Sequence, residues 1–177
     1  MKIILHCFIL LCVTASFVYA QKIADDFSAL DTKVWAWKDN VKASLFDSSD
    51  SERTKVLKIA SDFSKFTYAW VSRKLPVGSC APEKATGLRF FTMREGLQDL
   101  TVVLFFMNGE TQVKYEAQVT PQQAWSEFVV PFSLFKQSGK SISDSELARV
   151  EGVMFVTGKK TEASATLYLD DFSVIAK

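Results

Sequence analysis

The stretch GLRFFTMREGLQDLTVVLFFMNGETQVKYEAQV, residues 87–119, decides the predicted fold. It contains three runs rich in β-branched and aromatic residues, separated by short turn sequences, as in consecutive antiparallel strands. The last two runs meet at Asn108-Gly109, a dipeptide typical of a tight β-hairpin. The middle run, residues 100–107, is apolar on both faces, which predicts a central strand whose second face is covered or forms a groove.

The same kind of run recurs along most of the chain, whereas helical periodicity is almost missing. The predicted strands cover residues 33–37, 41–47, 55–61, 66–75, 87–93, 100–107, 112–119, 126–132, 150–157 and 165–174. One helical turn is predicted within residues 144–150. About ten short, regularly spaced strands are typical of a two-sheet antiparallel β-sandwich. We therefore predict an all-β jelly roll without an internal domain boundary.

The beginning of the chain has the features of a secretory signal peptide: one lysine, a long apolar run and small residues before Gln21. We therefore divide the chain into a signal peptide, residues 1–20, and one jelly-roll domain, residues 21–177. A secreted or periplasmic location follows from this division. The apolar run is shorter than the roughly 18 residues that a spanning helix needs, so we expect no membrane span.

Charge and histidine content exclude several functions for this domain. The chain has 21 lysines and arginines and 20 acidic residues. The signal peptide contains Lys2 and no acid, so the domain is neutral and has no basic field for nucleic acid. The one histidine, His6, also lies in the signal peptide, which excludes a histidine relay or a histidine-ligated metal. Cys80 is the only thiol of the domain, so no internal disulfide can form.

Aromatic residues on the strand faces are the candidates for ligand binding. Tyr68 and Trp70 are two residues apart in the predicted strand at residues 66–75, so their side chains lie on the same face. Such rings combine a flat apolar surface with a polar group, which suits the C–H faces of sugars. Sugar hydroxyls also need carboxylates, amides or arginines nearby, and Arg89 is the candidate arginine. Further candidates, for which core packing is the alternative, are Trp35, Trp37 and Trp125.

The order of several motifs resembles the galactose-binding-like jelly rolls. The motifs are YAWVSRKLP at residues 68–76, TGLRFFTMREG at 86–96, WSEFVVPFSLF at 125–135 and LYLDDFSVI at 167–175. They are similar to family 11 carbohydrate-binding modules and to the domain of the complex I intermediate-associated protein 30 family. This resemblance implies a jelly roll whose concave face binds a glycan. It also implies a role for Tyr68, which matches a family strand that begins with Tyr and ends in Leu-Pro.

The tetrapeptide DDFS occurs at residues 25–28 and again at 170–173. Jelly rolls of this superfamily often hold a structural calcium near the chain ends. The resemblance therefore implies a site formed by Asp26 and Asp170, if the first and last strands lie side by side. Turn formation or solvation is the alternative role for such acidic pairs. The alternation of apolar residues also changes phase across the second copy, which predicts a β-bulge at Asp170-Asp171.

No nucleophile motif or distinguishable pair of catalytic carboxylates is present, so we predict that the protein is not an enzyme. We predict instead a secreted module, without a catalytic partner domain, that binds a polysaccharide or other glycan through Tyr68, Trp70 and Arg89. The alternative is a protein-interaction jelly roll for adhesion or assembly, whose same aromatic face contacts a protein partner. Aromatic rings in line and flanked by polar groups would favour the glycan, and a flat aliphatic patch would favour the protein.

Overall fold

The computed structural model describes residues 24–96, 99–158 and 163–177. The predicted signal peptide lies outside the described residues. The strands are β1 (Ala24–Asp25), β2 (Trp35–Trp37), β3 (Val41–Asp47), β4 (Lys55–Asp62), β5 (Tyr68–Lys74), β6 (Ala85–Glu95), β7 (Leu100–Asn108), β8 (Thr111–Val119), β9 (Ser126–Pro131), β10 (Lys136–Gln137), β11 (Lys140–Ser141), β12 (Gly152–Gly158) and β13 (Ser164–Ala176). A 3-10 turn covers Phe132–Leu134, and the predicted helical turn is α1, Asp144–Leu147. No helix within the described ranges has the length and apolarity to cross a bilayer.

The strands form two antiparallel sheets, which confirms the predicted β-sandwich. One sheet has the order β3-β4-β13-β6-β9, with β1 paired to β13 at its side. The other has the order β11-β10-β8-β7-β12-β5-β2. We call them the six-stranded sheet and the seven-stranded sheet. The first and last strands of the described chain therefore lie side by side, as the calcium hypothesis required.

The core lies between the two sheets and is filled by alternate residues of their strands. Leu88 and Phe90 of the six-stranded sheet are fully buried, as are Val102 and Leu104 of the seven-stranded sheet. Phe90 also packs edge-on against Phe155, with ring centres 5.3 Å apart. Burial of a side chain of this size contributes about 1.5–3 kcal/mol to folding. Because inward and outward residues alternate, each sheet keeps a second face that points away from the core.

The closing strand β13 contains the predicted bulge. Its pairing with β6 shifts register between Asp170 and Ser173, and Asp171 adopts a left-handed φ of 48°. Leu169 before the shift and Phe172 after it are both fully buried. The bulge therefore allows both halves of the strand to contribute to the core, although they are out of phase in the sequence.

Two hairpins shape one side of the seven-stranded sheet. The predicted β7–β8 hairpin is confirmed: Asn108 pairs with Thr111, and Gly109 has a positive φ of 63°. The β10–β11 hairpin was not predicted, because its strands have two residues each. Ser138 and Gly139 form its turn with φ values of 49° and 81°, the pair of positive angles that a type I′ turn requires.

Cys80 lies in the core rather than on the surface. Its side chain is fully buried, and this burial raises the pKa of the thiol to about 11. The thiol is therefore protonated at neutral pH, and thiols of this kind are unreactive. A disulfide between two folded chains is not available to this residue.

Candidate functional site

Strand β5 presents Tyr68 and Trp70 away from the core. The residues between and after them, Ala69 and Val71, are fully buried against the opposite sheet. Because side chains alternate along a strand, Tyr68 and Trp70 lie together on the outer face of the seven-stranded sheet. This part of the sequence prediction is confirmed.

The neighbouring strands continue an apolar surface from Trp70. Val156 of β12 is the cross-strand partner of Trp70, and the adjacent outward row contains Met154 of β12 and Val103 of β7. Val103 and Met154 are only 2% and 9% exposed, yet neither belongs to the hydrophobic cluster between the sheets. Larger side chains around them must therefore shield them on the outer side. We call this surface the recessed face and define it by Trp70, Val103, Phe105, Met154 and Val156.

Strand β8 forms a polar border along the recessed face. The side chains of this border alternate with the buried residues Tyr115 and Ala117 and are all exposed: Gln112, Lys114, Glu116 and Gln118. Gln118 is held in place by Thr101 of β7, whose hydroxyl accepts a hydrogen bond of 2.9 Å from the Gln118 amide. Amide, carboxylate and ammonium groups thus lie beside an apolar floor. Sequence reasoning did not single out this border, because exposed polar residues of a strand look alike until their neighbours are known.

Tyr68 and Trp70 differ in their surroundings. Tyr68 is 46% exposed, and the Lys38 ammonium nitrogen lies 4.0 Å from the centre of its ring. This cation–π contact uses part of the π surface that a sugar would otherwise occupy. Trp70 is half-buried beside Val156 and lies directly at the edge of the apolar floor. The structure therefore favours Trp70 over Tyr68 as the main stacking residue.

The structure does not bring Arg89 to this face, so the predicted grouping of Arg89 with Tyr68 and Trp70 is wrong. Arg89 belongs to β6 in the six-stranded sheet, where its neighbours Leu88 and Phe90 are fully buried. Its side chain consequently points outward on the opposite side of the sandwich. There it forms a salt bridge with Glu127 of β9. Alternation places a residue inward or outward correctly, but it does not say to which sheet a strand belongs.

The outer face of the six-stranded sheet also carries aromatic rings, but cations of the protein already cover them. The Arg53 guanidinium lies 4.2 Å from the ring centre of Phe91 and 5.5 Å from that of Trp125. The Arg89 guanidinium lies 5.1 Å from the Phe91 ring centre. These rings are engaged within the fold, so this face offers less free π surface than the recessed face.

The other tryptophan candidates are structural. Trp35 is 2% exposed, and its indole nitrogen donates a 2.7 Å hydrogen bond to Asp25 Oδ2. Trp37 is partly buried and packs against the core cluster. The same Asp25 oxygen also accepts a hydrogen bond from Arg73 Nε at 3.3 Å. Through these two hydrogen bonds, Asp25 of the first DDFS copy connects the start of the domain to Trp35 of β2 and Arg73 of β5.

The DFS sequences form turns through the aspartate side chain. Asp26 Oδ1 accepts a hydrogen bond from the Ser28 amide at 3.0 Å, and Asp62 Oδ1 accepts one from the Ser64 amide at 2.8 Å. These bonds lower the pKa of both carboxyl groups. Each is the local turn that aspartate forms with the amide two residues ahead. The turn-forming alternative therefore accounts for Asp26 in the first DDFS copy, and the DFS sequence at residues 62–64 forms the same kind of turn.

The buried Asp170 carboxylate faces a cation of the chain itself. Its Oδ2 lies 3.8 Å from Arg53 Nε. Burial raises the pKa of Asp170 to about 6, with further contributions from the charges of Asp171 and Asp26. Among the residues that the structure describes, no group of three or more acidic, cysteine or histidine side chains could hold a metal ion. Since calcium takes six to eight oxygens, the carboxylates of Asp26 and Asp170 alone would not complete its coordination, and a calcium ion there stays a prediction.

Comparison with solved structures relates this geometry to known proteins. The family 11 carbohydrate-binding module of the cellulase Lic26A-Cel5E of Clostridium thermocellum matches with a TM-score of 0.63 and 18% identity, over 86% of this chain and 92% of that chain. A family 11 module from Clostridium thermocellum in complex with a β-1,3-1,4-mixed-linked tetrasaccharide matches with a TM-score of 0.62 and 18% identity, over 85% and 92%. The CBM22-1 xylan-binding domain of Paenibacillus barcinonensis Xyn10C matches with a TM-score of 0.58 and 12% identity, over 87% and 92%.

These similarities define the class of fold: the chain has the β-jelly roll of family 11 and family 22 carbohydrate-binding modules. The fold that the sequence motifs implied is therefore confirmed. An exo-β-agarase also matches with a TM-score of 0.67 and 10% identity, but this chain covers only 25% of it. No protein-family model and no curated protein matches the sequence.

Proposed function

We propose that this protein is a secreted, non-catalytic module that binds a glycan on the recessed face. The observation that carries the proposal is the outer face of the seven-stranded sheet, where the partly exposed Trp70, Phe105 and Val156 lie on the same face as the exposed polar side chains of β8. In a β-sandwich, the outer side of a sheet is normally polar, so an apolar strip there indicates a binding surface.

The chemistry of the recessed face matches the two sides of a sugar ring. The indole of Trp70 and the neighbouring side chain of Val156, both partly exposed, suit the apolar C–H face of a pyranose. Gln118 and Glu116 on the border can exchange hydrogen bonds with the hydroxyl groups at the ring edge. Trp70 lies on β5 and the polar border on β8, with β12 and β7 between them, so a ligand that crosses these strands can contact both kinds of group.

The carboxylate content of the recessed face and its border supports binding without catalysis. Among the residues that define the recessed face and its β8 border, Glu116 is the one carboxylate. Retaining and inverting glycosidases canonically use a pair of carboxyl groups on either side of the scissile bond. Secretion is supported by the signal-peptide features of residues 1–20.

The solved neighbours indicate which polysaccharides to test first. One is a family 11 module in complex with a β-1,3-1,4-mixed-linked tetrasaccharide, and another is a xylan-binding domain. We therefore propose a β-linked polysaccharide as the ligand class. Electrophoresis of the purified protein through native gels containing mixed-linked β-glucan, xylan or no polysaccharide tests this. We expect slower migration in at least one polysaccharide gel, and unchanged migration in every gel would overturn the proposal.

A further inference from the structure

The ring of Phe105 lies over a glycine on the recessed face. Phe105 of β7 is the cross-strand partner of Gly152 of β12. A Cβ atom added to Gly152 would lie only 2.4 Å from Phe105 Cζ and 2.7 Å from Cε1. The ring therefore occupies the space that any other side chain at position 152 would take.

Phe105 and Trp70 stand at opposite corners of the recessed face. Trp70 pairs with Val156 on β12, while Phe105 pairs with Gly152 on the same strand, four residues away. With β12 between β5 and β7, strand geometry separates the two Cα atoms by roughly 17 Å along a diagonal. Val103 and Met154 form the apolar floor between the two rings.

Groups that form hydrogen bonds accompany both rings. The cross-strand partner of Phe105 on β8 is Lys114, and the partner of Gly152 on β5 is Lys74; both lysines are exposed. On the other side of the face, Trp70 pairs with Val156 on β12, and Val156 pairs in turn with Thr101 on β7. The Thr101 hydroxyl accepts the hydrogen bond from Gln118 of β8. The two lysines thus lie on either side of the Phe105 corner, and the Thr101–Gln118 pair lies at the far end of the row that begins at Trp70.

We propose that Phe105, lying over Gly152, is a second sugar-stacking residue, and that the protein binds an extended glycan running diagonally from Trp70 to Phe105. This inference rests on the proposed function and adds the direction and minimum length of the ligand. Measured from Gly152, over which the Phe105 ring lies, strand geometry places Trp70 roughly 14 Å away, which is longer than a disaccharide. Only a chain of several sugar units therefore contacts both rings. Gly152 sets this specificity, because a larger side chain would displace the Phe105 ring.

Titration calorimetry with di-, tri-, tetra- and hexasaccharides of mixed-linked glucan and of xylan tests the inference. For the wild type, we expect the hexasaccharide to bind at least about tenfold more tightly than the disaccharide, because only the longer ligand contacts a second ring. Phe105→Leu keeps an apolar side chain and should remove most of this gain. Gly152→Ala should act in the same direction. A matched control is Phe46→Leu, since Phe46 is 40% exposed and belongs to β3 of the other sheet.

The possible outcomes separate this inference from the proposed function. A loss of the length-dependent gain in Phe105→Leu, with Phe46→Leu unchanged, would support the second stacking residue. If a folded Phe105→Leu variant keeps the full gain, the role of Phe105 is wrong although glycan binding stands. If the wild type binds no oligosaccharide of either series, the proposed function is overturned, and this inference with it. Gly152 also approaches the Arg73 carbonyl oxygen, so Phe105→Leu decides the result if Gly152→Ala does not fold.

Discussion

Arg53 lies between a buried carboxylate and two aromatic rings. Its side chain is 12% exposed and its Nε lies 3.8 Å from Asp170 Oδ2, while the guanidinium contacts the rings of Phe91 and Trp125. A buried carboxylate without a nearby cation is costly, because removing one partner leaves an uncompensated charge. The charge of Arg53 therefore offsets part of the free-energy cost of burying the Asp170 carboxylate at the bulge of β13.

This placement predicts a large effect of Arg53→Met on stability. We expect the free energy of unfolding at neutral pH to fall by about 2–3 kcal/mol, because the variant removes the cation beside Asp170. The measurement is urea denaturation followed by tryptophan fluorescence. The matched control is Arg89→Met: Arg89 and Glu127 are 38% and 45% exposed, and an exposed pair is worth about 0–1 kcal/mol. Equal stability of the two variants would contradict this role for Arg53.

The helix α1 is attached to the sandwich through Glu146. Its carboxylate accepts hydrogen bonds from the Ser143 amide at 2.9 Å and from the Tyr115 hydroxyl at 2.6 Å. Hydrogen bonds from Ser143 and then from Tyr115 hold the pKa of Glu146 below its usual 4.5. The ionised carboxylate is therefore favoured in the folded state.

The lowered pKa of Glu146 predicts a pH-dependent contribution to stability. A group whose pKa is lower in the folded state stabilises the fold above its unfolded pKa, and this contribution is lost as the pH falls through the folded value. We expect Glu146→Gln to be less stable than the wild type at about pH 7 and the difference to shrink toward about pH 3. Chemical denaturation at both pH values measures it. A difference that stays constant would contradict the assignment.

The strands themselves could be predicted from the sequence, because alternating burial leaves a direct pattern. The phase change at Asp170-Asp171 even predicted the bulge. Sheet membership could not be predicted in this way, since Tyr68 and Arg89 both point outward but from different sheets. The position of the Phe105 ring over Gly152 could not be predicted either, because it depends on which residue lies opposite Phe105 on β12. These facts arise from long-range strand pairing, which no local pattern encodes.

The two ends of the molecule are held together by pairing of β1 with β13 and by contacts of the DDFS aspartates. Asp25 is held by Trp35 and Arg73, and Asp170 by Arg53. Of the two aspartates for which the sequence resemblance implied calcium, Asp170 therefore faces a cation of the chain itself, Arg53. We infer from this contact that the fold does not need a metal at Asp26 and Asp170.

We consequently expect the melting temperature of the protein to be the same with excess calcium and with EDTA. Differential scanning calorimetry in both buffers measures this, because a ligand bound only by the folded state raises the melting temperature. A calcium-dependent rise that Asp170→Asn abolishes would contradict this expectation and restore the calcium prediction.

At the scale of the whole molecule, the sandwich has two outer faces with different roles. On the six-stranded sheet, Phe91 and Trp125 are covered by Arg53 and Arg89. On the seven-stranded sheet, Trp70 borders an apolar floor without such a cover among the cation–π contacts of the described residues. The central claim is that the glycan binds to this second face.

The measurement that tests this claim most directly compares Trp70→Ala with Arg89→Ala in binding the polysaccharide that retards the wild type. The two positions lie on opposite faces, so affinity gel electrophoresis of folded variants separates the faces. We predict that Trp70→Ala loses at least about tenfold in affinity, corresponding to about 1.4 kcal/mol, while Arg89→Ala binds like the wild type. Unchanged binding by Trp70→Ala together with loss in Arg89→Ala would place the ligand on the six-stranded sheet and contradict the account.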